Sequence, residues 1–204
     1  MLKEFVATFD SNGNSGTLEV LRTGVLEHPY VKLDLLDDGG YAVTWIDGFI
    51  ANPPAYHVYT QIYNEDGSAR TAAVQVDDIG LLGTTSYGQV ISTAVLEDGN
   101  IVIAWMEVVD GGDFFTVGDV NLLVRVMAPD GTPVSDPIPV HADTLGERAS
   151  PNLEAMPDGS FIVTWANYTS VTSSGDIKVR RFDGDGSEYT GLRDRIDEDT
   201  TVTV

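Results

Sequence analysis

Three side chains that are able to exchange protons or hydrogen bonds occupy one position of a motif that occurs three times. Asp47, Glu107 and Asn167 each follow a tryptophan by two residues. If the fold gathers these positions, two carboxyl groups become available for general acid–base chemistry of the kind that cleaves polysaccharides. Acids are common throughout the chain, so chance placement is the simpler interpretation.

The segments that follow the tryptophans are the longest and most variable parts of the motif, at 46–55, 106–119 and 166–175. They leave the same point of each copy, and loops gathered on one face of a repeat protein often form its binding surface. Folding of these segments over a sheet edge is the competing interpretation. The predicted ligand-binding residues are the polar and aromatic residues in or beside these segments: Asp47, Tyr56, His57, Glu107, Asp110, Asp113, Phe114, Phe115, Asn167 and Tyr168.

A second set of acids lies in short loops with alternating oxygen side chains, such as Asp183-Gly184-Asp185-Gly186. Calcium takes about 6–8 oxygen ligands, and loops of this kind supply several. Turn geometry explains the same residues, because Asp and Gly both suit tight turns. Calcium is therefore the one cofactor that the sequence suggests, with candidate ligands Asp10, Asn12, Asp66, Asp130, Asp183 and Asp185.

The sequence predicts β-hairpins that hold all of these residues in position. Asp-Gly turns at 38–39, 98–99 and 158–159 separate two alternating apolar runs each, which predicts strand A, a tight turn and strand B. Further turns at 64–67, 128–131 and 183–186 predict a second hairpin, strands C and D, with strand D at 72–76, 137–141 and 189–196. The same half-unit opens the chain at 4–22. The tryptophans end strand B in each unit, where core packing is expected rather than ligand stacking.

The chain is predicted to be a single all-β repeat domain over 1–204 with a β-propeller-like architecture. It divides into a half unit at 1–27 and units at 28–88, 89–148 and 149–204, or about three and a half four-stranded units. An elongated stack of small sheets is the alternative. Closed propellers usually have ~4–8 blades. A mini-propeller with a shared blade, a ring completed by a second copy, or a chain that is a fragment of a longer protein would each resolve the difference.

The third unit carries the most specific resemblance. Its strand B, Asp158-Gly159-Ser160-Phe161-Ile162-Val163-Thr164-Trp165, and the turn after strand C at 182–186 resemble repeats of large bacterial secreted proteins of the hemolysin-type (RTX) calcium-binding and adhesin class. The stretch 59–67 matches the strand C part of that pattern. The resemblance implies a propeller-like repeat fold and export without an N-terminal signal peptide. It implies no known enzyme activity.

The composition of the chain excludes some classes of binding partner and site. The chain has 204 residues and a net charge of −21, which disfavours nucleic acid and anionic lipid as partners. It has no cysteine, so disulfides and thiolate zinc sites are excluded. Its three histidines fall at unrelated points of the repeat, so the sequence supports no Ser/His/Asp triad. No apolar run reaches the ~18 residues needed to span a membrane.

These observations favour a non-catalytic extracellular or cell-surface module that binds a glycan or a surface protein, with calcium assisting. The alternatives are a propeller-type polysaccharide hydrolase or lyase, with Asp47 and Glu107 as the acids, and a structural self-assembly module. A homo-oligomer that completes the repeat ring is an expected form of the protein.

Overall fold

The computed structural model describes residues 2–9, 15–24, 30–49, 55–78, 91–108, 120–141, 147–168 and 175–190. These residues form strands, turns and bends, and they contain no helix. Accordingly, none of them belongs to a helix long and apolar enough to cross a membrane. The prediction of an all-β chain is confirmed.

Thirteen strands in the described ranges form one hairpin and three larger sheets, all antiparallel between chain neighbours. The hairpin pairs β1 with β2. Sheet I has the order β3-β4-β5-β6, sheet II has the order β7 to β10, and sheet III has the order β11-β12-β13. The bounds are β1 Leu2–Phe9, β2 Ser15–Gly24, β3 Val31–Leu35, β4 Tyr41–Phe49, β5 Ala55–Tyr63, β6 Val74–Gln75, β7 Ile91–Val95, β8 Ile101–Val108, β9 Val120–Met127, β10 Ile138–Pro139, β11 Glu147–Ala155, β12 Phe161–Tyr168 and β13 Asp176–Phe182.

The Asp-Gly turns have the hydrogen bonds and the positive glycine φ of tight turns. In sheet I the Leu36 amide donates to the Gly40 carbonyl over 2.8 Å, and Gly39 takes a φ of 83° that side chains disfavour. Asp38 Oδ1 accepts from the Gly40 amide at 3.0 Å and so fixes the turn from within. The same arrangement recurs at Gly99 and Gly159, with φ of 83° and 81°.

The first strand of each sheet lies next to the first strand of its neighbour. Strand β7 contacts β3 on one side and β11 on the other. Each sheet then runs outward in chain order, so the sheets pack face to face around a shared line of inner strands. This is the propeller-like arrangement that the repeat predicted.

The three tryptophans lie inside the protein, as predicted. Trp105 and Trp165 are 0% and 4% exposed and belong to the main core between the sheets. Trp45, 5% exposed, belongs to a smaller cluster on the other face of sheet I, where its ring stacks on Tyr59 with centroids 5.9 Å apart. The tryptophans therefore have a packing role, and Trp45 adds an aromatic contact between strands B and C of sheet I.

The fourth strands are much shorter than the sequence predicted. Runs at 72–76 and 137–141 were expected to form strand D, but β6 and β10 have two residues each. The reason is local. After the turn, the amides of Arg70 and Thr71 both donate to the carbonyl of Ile62, so the ladder is interrupted before it resumes at Val74. In the third unit, most of the predicted strand at 189–196 lies outside the described residues.

Candidate functional site

The three positions after the tryptophans lie at the same end of their sheets, where strand B leads to strand C. Asp47 in β4 is paired with His57 in β5, and Glu107 in β8 is paired with Asn121 in β9. Asn167 holds the matching place in β12. The prediction that the tryptophans end strand B is wrong, because β4, β8 and β12 each continue three or four residues beyond the tryptophan. The three positions therefore lie within the strands.

The predicted ligand-binding residues are described to different extents. For Asp47 and Tyr56 the structure gives the backbone position only. Tyr168 ends β12 half-buried, and its ring lies where a β-carbon on Gly175 would be. The remaining loop residues lie outside the described ranges: Asp110, Asp113, Phe114 and Phe115.

His57 is joined to an acid that the sequence reasoning missed. Its Nδ1 lies 2.9 Å from Oδ2 of Asp77, whose side chain is fully buried, whereas the imidazole is 29% exposed. Asp77 Oδ1 also accepts from the Val58 amide at 2.6 Å. When Nδ1 carries the proton that Asp77 accepts, Nε2 is left with a lone pair and is able to take up a proton.

A repeat comparison would have revealed Asp77. Asp77 follows β6 by two residues, and His141 follows β10 by two. His141 Nε2 accepts from the Leu122 amide at 3.3 Å, in the same way that Asp77 accepts from Val58. Both side chains therefore end the pairing between strands C and D by taking the next strand C amide. Asp77 has this structural role in addition to its contact with His57.

Glu107 lies buried near two other carboxyls at the end of strand B. The residue is only 6% exposed. Burial raises the pKa of its carboxyl above the ordinary value, and the charges of Asp77 and Asp78 raise it further. The nearby Trp105 indole and the Asn121 side chain partly offset this rise in pKa. The indole nitrogen makes no hydrogen bond of good geometry. Glu107 is thus biased toward the neutral acid.

Arg125 of sheet II makes hydrogen bonds to the chain that leaves sheet I. From β9 of sheet II, its Nη1 donates to the Val76 carbonyl at 2.7 Å and to Asp78 Oδ1 at 3.0 Å. Its Nε donates to the Ser135 carbonyl at 3.0 Å. The guanidinium fixes the chain that leaves sheet I beside β9. The resulting group, His57 with Asp77, Asp78 and Glu107, is called the sheet I/II acid cluster below.

A further carboxyl, partly buried, lies on the inner strands. Asp34 in β3 keeps Oδ2 buried without a hydrogen-bond partner. Burial raises the pKa of Asp34, and a hydrogen bond with Thr93 of β7 and the charge of Lys32 lower it in part. This acid links sheets I and II near their inner edge, and the sequence reasoning did not single it out.

The described candidates for calcium ligation are engaged in their own turns. Asp66 Oδ1 accepts from the Ser68 hydroxyl at 2.6 Å, and Asp130 Oδ1 accepts from the Thr132 hydroxyl at 2.6 Å. Asp185 Oδ1 accepts from the Ser187 amide at 2.8 Å. Hydrogen bonds from these neighbours lower the pKa of each of the three carboxyls.

Among the described residues, no three His, Asp or Glu side chains gather closely enough to hold a metal ion. Asp183 lies among these residues, at the start of its turn. Asp10 and Asn12 lie outside them. Calcium ligation therefore stays a prediction of the sequence.

Comparison with known proteins gives a likeness of fold. No family model and no curated protein matches the chain. A structure of a protein of unknown function from Dyadobacter fermentans is similar with a TM-score of 0.58 and 12% identity, over 91% of this chain and 56% of that one. The chain thus spans little more than half the length of that protein. At this identity the likeness concerns the fold alone.

Two enzymes align less closely. A thermostable family-43 glycoside hydrolase aligns with a TM-score of 0.46 and 11% identity, over 88% of this chain and 68% of that one. An endo-arabinase from Bacteroides thetaiotaomicron aligns with a TM-score of 0.46 and 10% identity, over 91% of this chain and 72% of that one. Likeness at this level carries no argument about function.

Proposed function

We propose that this chain acts on a polysaccharide, as a hydrolase or a lyase, with Glu107 as the proton-exchanging carboxyl. The observation that carries the proposal is the burial of Glu107 beside Asp77 and Asp78, which raises its pKa and keeps it protonated to higher pH than an exposed glutamate. A carboxyl held in this state is suited to protonate a leaving oxygen.

His57 supplies the complementary group. Its contact with buried Asp77 orients the imidazole. In a hydrolase, Glu107 would protonate the glycosidic oxygen as that bond breaks, and the base would take a proton from the attacking water. In a lyase, the base would remove a proton from the sugar carbon while Glu107 protonates the departing oxygen. Asp47, paired with His57 across β4 and β5, is the further acid at this end.

The test is a panel of neutral and acidic polysaccharides assayed for new reducing ends, with ultraviolet absorbance of an unsaturated product distinguishing lyase from hydrolase. Glu107→Gln keeps the shape of the side chain and removes its proton, so we expect a loss of about 100- to 10,000-fold in rate. Glu97→Gln is the matched control, because that exposed carboxyl lies in the turn between β7 and β8, at the opposite end of the same sheet. A Glu107→Gln variant with the parental rate would contradict the proposal.

A second candidate function is binding without turnover by an extracellular or surface module. Its support is that the connections after β4, β8 and β12 all leave the same end of the sheets, where His57 and Tyr168 are half-buried and available for contact. Such a module would recognise a glycan or a surface protein, with calcium assisting. The expected location outside the cell comes from the repeat resemblance described above.

Binding is tested on the Glu107→Gln variant so that cleavage does not remove the ligand. A glycan array is probed with calcium and again with a chelator, and thermal unfolding is followed under the same conditions. Retained binding together with an inactive parent would favour the module. Absence of binding in both conditions, with no change in Tm on adding calcium, would rule out the calcium-assisted glycan module.

A further inference from the structure

A buried hydrogen-bond donor lacks an acceptor at the same repeat position of all three larger sheets. The indole nitrogens of Trp45, Trp105 and Trp165 are buried and have no hydrogen-bond partner among the described residues. A buried N–H group without an acceptor is costly, and most such groups in folded proteins have one. Three unpaired donors at one repeat position therefore point to an acceptor that becomes available in another state of the protein.

Strand geometry places a polar residue on the same face as each indole. Successive side chains of a strand alternate between its faces, so the residue two positions after the tryptophan shares its face, about 7 Å further along. That residue is Asp47 in β4, Glu107 in β8 and Asn167 in β12. In sheet II both members of the pair are well buried, since Trp105 and Glu107 are 0% and 6% exposed.

The Trp105 indole is close enough to Glu107 to influence its ionisation. It is one of two neighbouring donors that lower the pKa of the carboxyl, and the other is the side-chain amide of Asn121 on β9. The indole nitrogen nevertheless makes no hydrogen bond of good geometry. An ionised oxygen accepts a shorter and stronger hydrogen bond than a neutral one. Loss of the Glu107 proton is therefore the event that would join the two groups.

The charged groups around Glu107 leave its ionised form dependent on neutral donors. Both aspartates of the sheet I/II acid cluster raise the pKa of Glu107. The basic side chains of this region are directed at these aspartates, because Arg125 lies 3.0 Å from Asp78 and His57 lies 2.9 Å from Asp77. The groups that offset the rise in pKa are the two neutral donors named above.

We propose that Trp105 is a positioning residue, whose indole N–H donates a hydrogen bond to the ionised carboxylate of Glu107. This inference rests on the proposed function, in which Glu107 gives its proton to a leaving oxygen. As the O–H bond of Glu107 breaks, its electron pair stays on the carboxylate and the proton passes to the leaving oxygen. The indole then stabilises a charge that is absent before the transfer, so it favours the transition state over the bound substrate.

The pKa of Glu107 is the direct readout. It is followed by carbon-13 NMR of labelled glutamate, and Glu107→Gln assigns the signal. Replacing Trp105 by β-(3-benzothienyl)alanine keeps the shape of the side chain and substitutes sulfur for the N–H, so this pKa should rise by about 1 pH unit or more. The same replacement at Trp165 is the control, because that indole is 4% exposed and the residue two positions on is Asn167, which does not titrate. An unchanged or lowered pKa in the first variant, or an equal rise in both, would overturn the proposal.

The dependence of rate on pH distinguishes positioning from packing. On a polysaccharide that the parent cleaves, Trp105→Phe should lower kcat about tenfold with little change in KM, and the fall in rate at basic pH should move to higher pH. Trp165→Phe removes an indole from the same core and should leave that fall in place. Identical profiles for the two variants would contradict the proposal. A parent that cleaves no polysaccharide would refute the proposed function, whereas the NMR titration would still decide whether Trp105 binds ionised Glu107.

Discussion

Replacement of the same leucine in two repeats gives the sharpest test of the architecture. Leu153 and Leu33 share residue type and register but are 4% and 52% exposed. Leu153→Ala removes buried methyl groups and leaves a cavity in the main core, so it should cost about 2–5 kcal/mol of unfolding free energy. Leu33→Ala removes a side chain that is about half in water and leaves no closed cavity, so its cost should be below ~1 kcal/mol.

The measurement is urea unfolding of both variants and the parent, followed by tryptophan fluorescence. All three tryptophans are at most 5% exposed, so unfolding should shift their emission strongly. Equal midpoints for the two variants, at an unchanged denaturant slope, would show that the sheets do not pack as described.

Three further outcomes follow from the turns and the acids. The Ser160 hydroxyl and Arg181 lower the pKa of Asp158 to about 2. This carboxylate should therefore stabilise the fold above pH ~4 and lose that effect as the pH falls toward 2. Asp158→Asn should flatten this part of the profile of stability against pH. Gly159→Ala should cost about 1–2 kcal/mol in urea unfolding, because its φ is 81° and no atom lies within 4 Å to add a clash; an unchanged midpoint would contradict the turn geometry. The pKa of Glu107 is raised, so its ionisation should destabilise the fold as the pH rises above the ordinary glutamate range. Glu107→Gln should therefore be more stable than the parent at neutral pH. This difference should disappear in acid.

The parts of the fold that local chemistry specifies were predictable from the sequence. An Asp-Gly pair between two alternating apolar runs leaves the backbone few choices, and the glycines at 39, 99 and 159 adopt the positive φ that the tight turn requires. The tryptophan at a fixed place in strand B was predicted to be buried because a large aromatic repeated at one register position must meet a neighbouring sheet. Both features depend on residues close together in the chain.

The parts that depend on contacts between units were not predictable in the same way. The fourth strands are short because two successive amides share one strand C carbonyl, that of Ile62 in sheet I and that of Val126 in sheet II, and no propensity scale registers this. Asp77 was missed because it lies outside every strand, twenty residues from His57 in sequence, and gains its role only when β5 and β6 pair. The raised pKa of Glu107 likewise depends on charges that the preceding sheet brings to it.

Two positions of the repeat explain why the sheet I/II acid cluster lies between these two sheets. One is the residue two places after strand D, which ends the pairing of its sheet, and the other is the residue two places after the tryptophan of the next sheet. Between sheets I and II these residues are Asp77 and Glu107, whereas between sheets II and III the repeat places His141 and Asn167. Only the first boundary therefore combines two carboxyls, and their mutual repulsion adds to burial in raising the pKa of Glu107. The regular turns and tryptophans provide the frame, and the chemistry differs between boundaries because these two positions are free to differ.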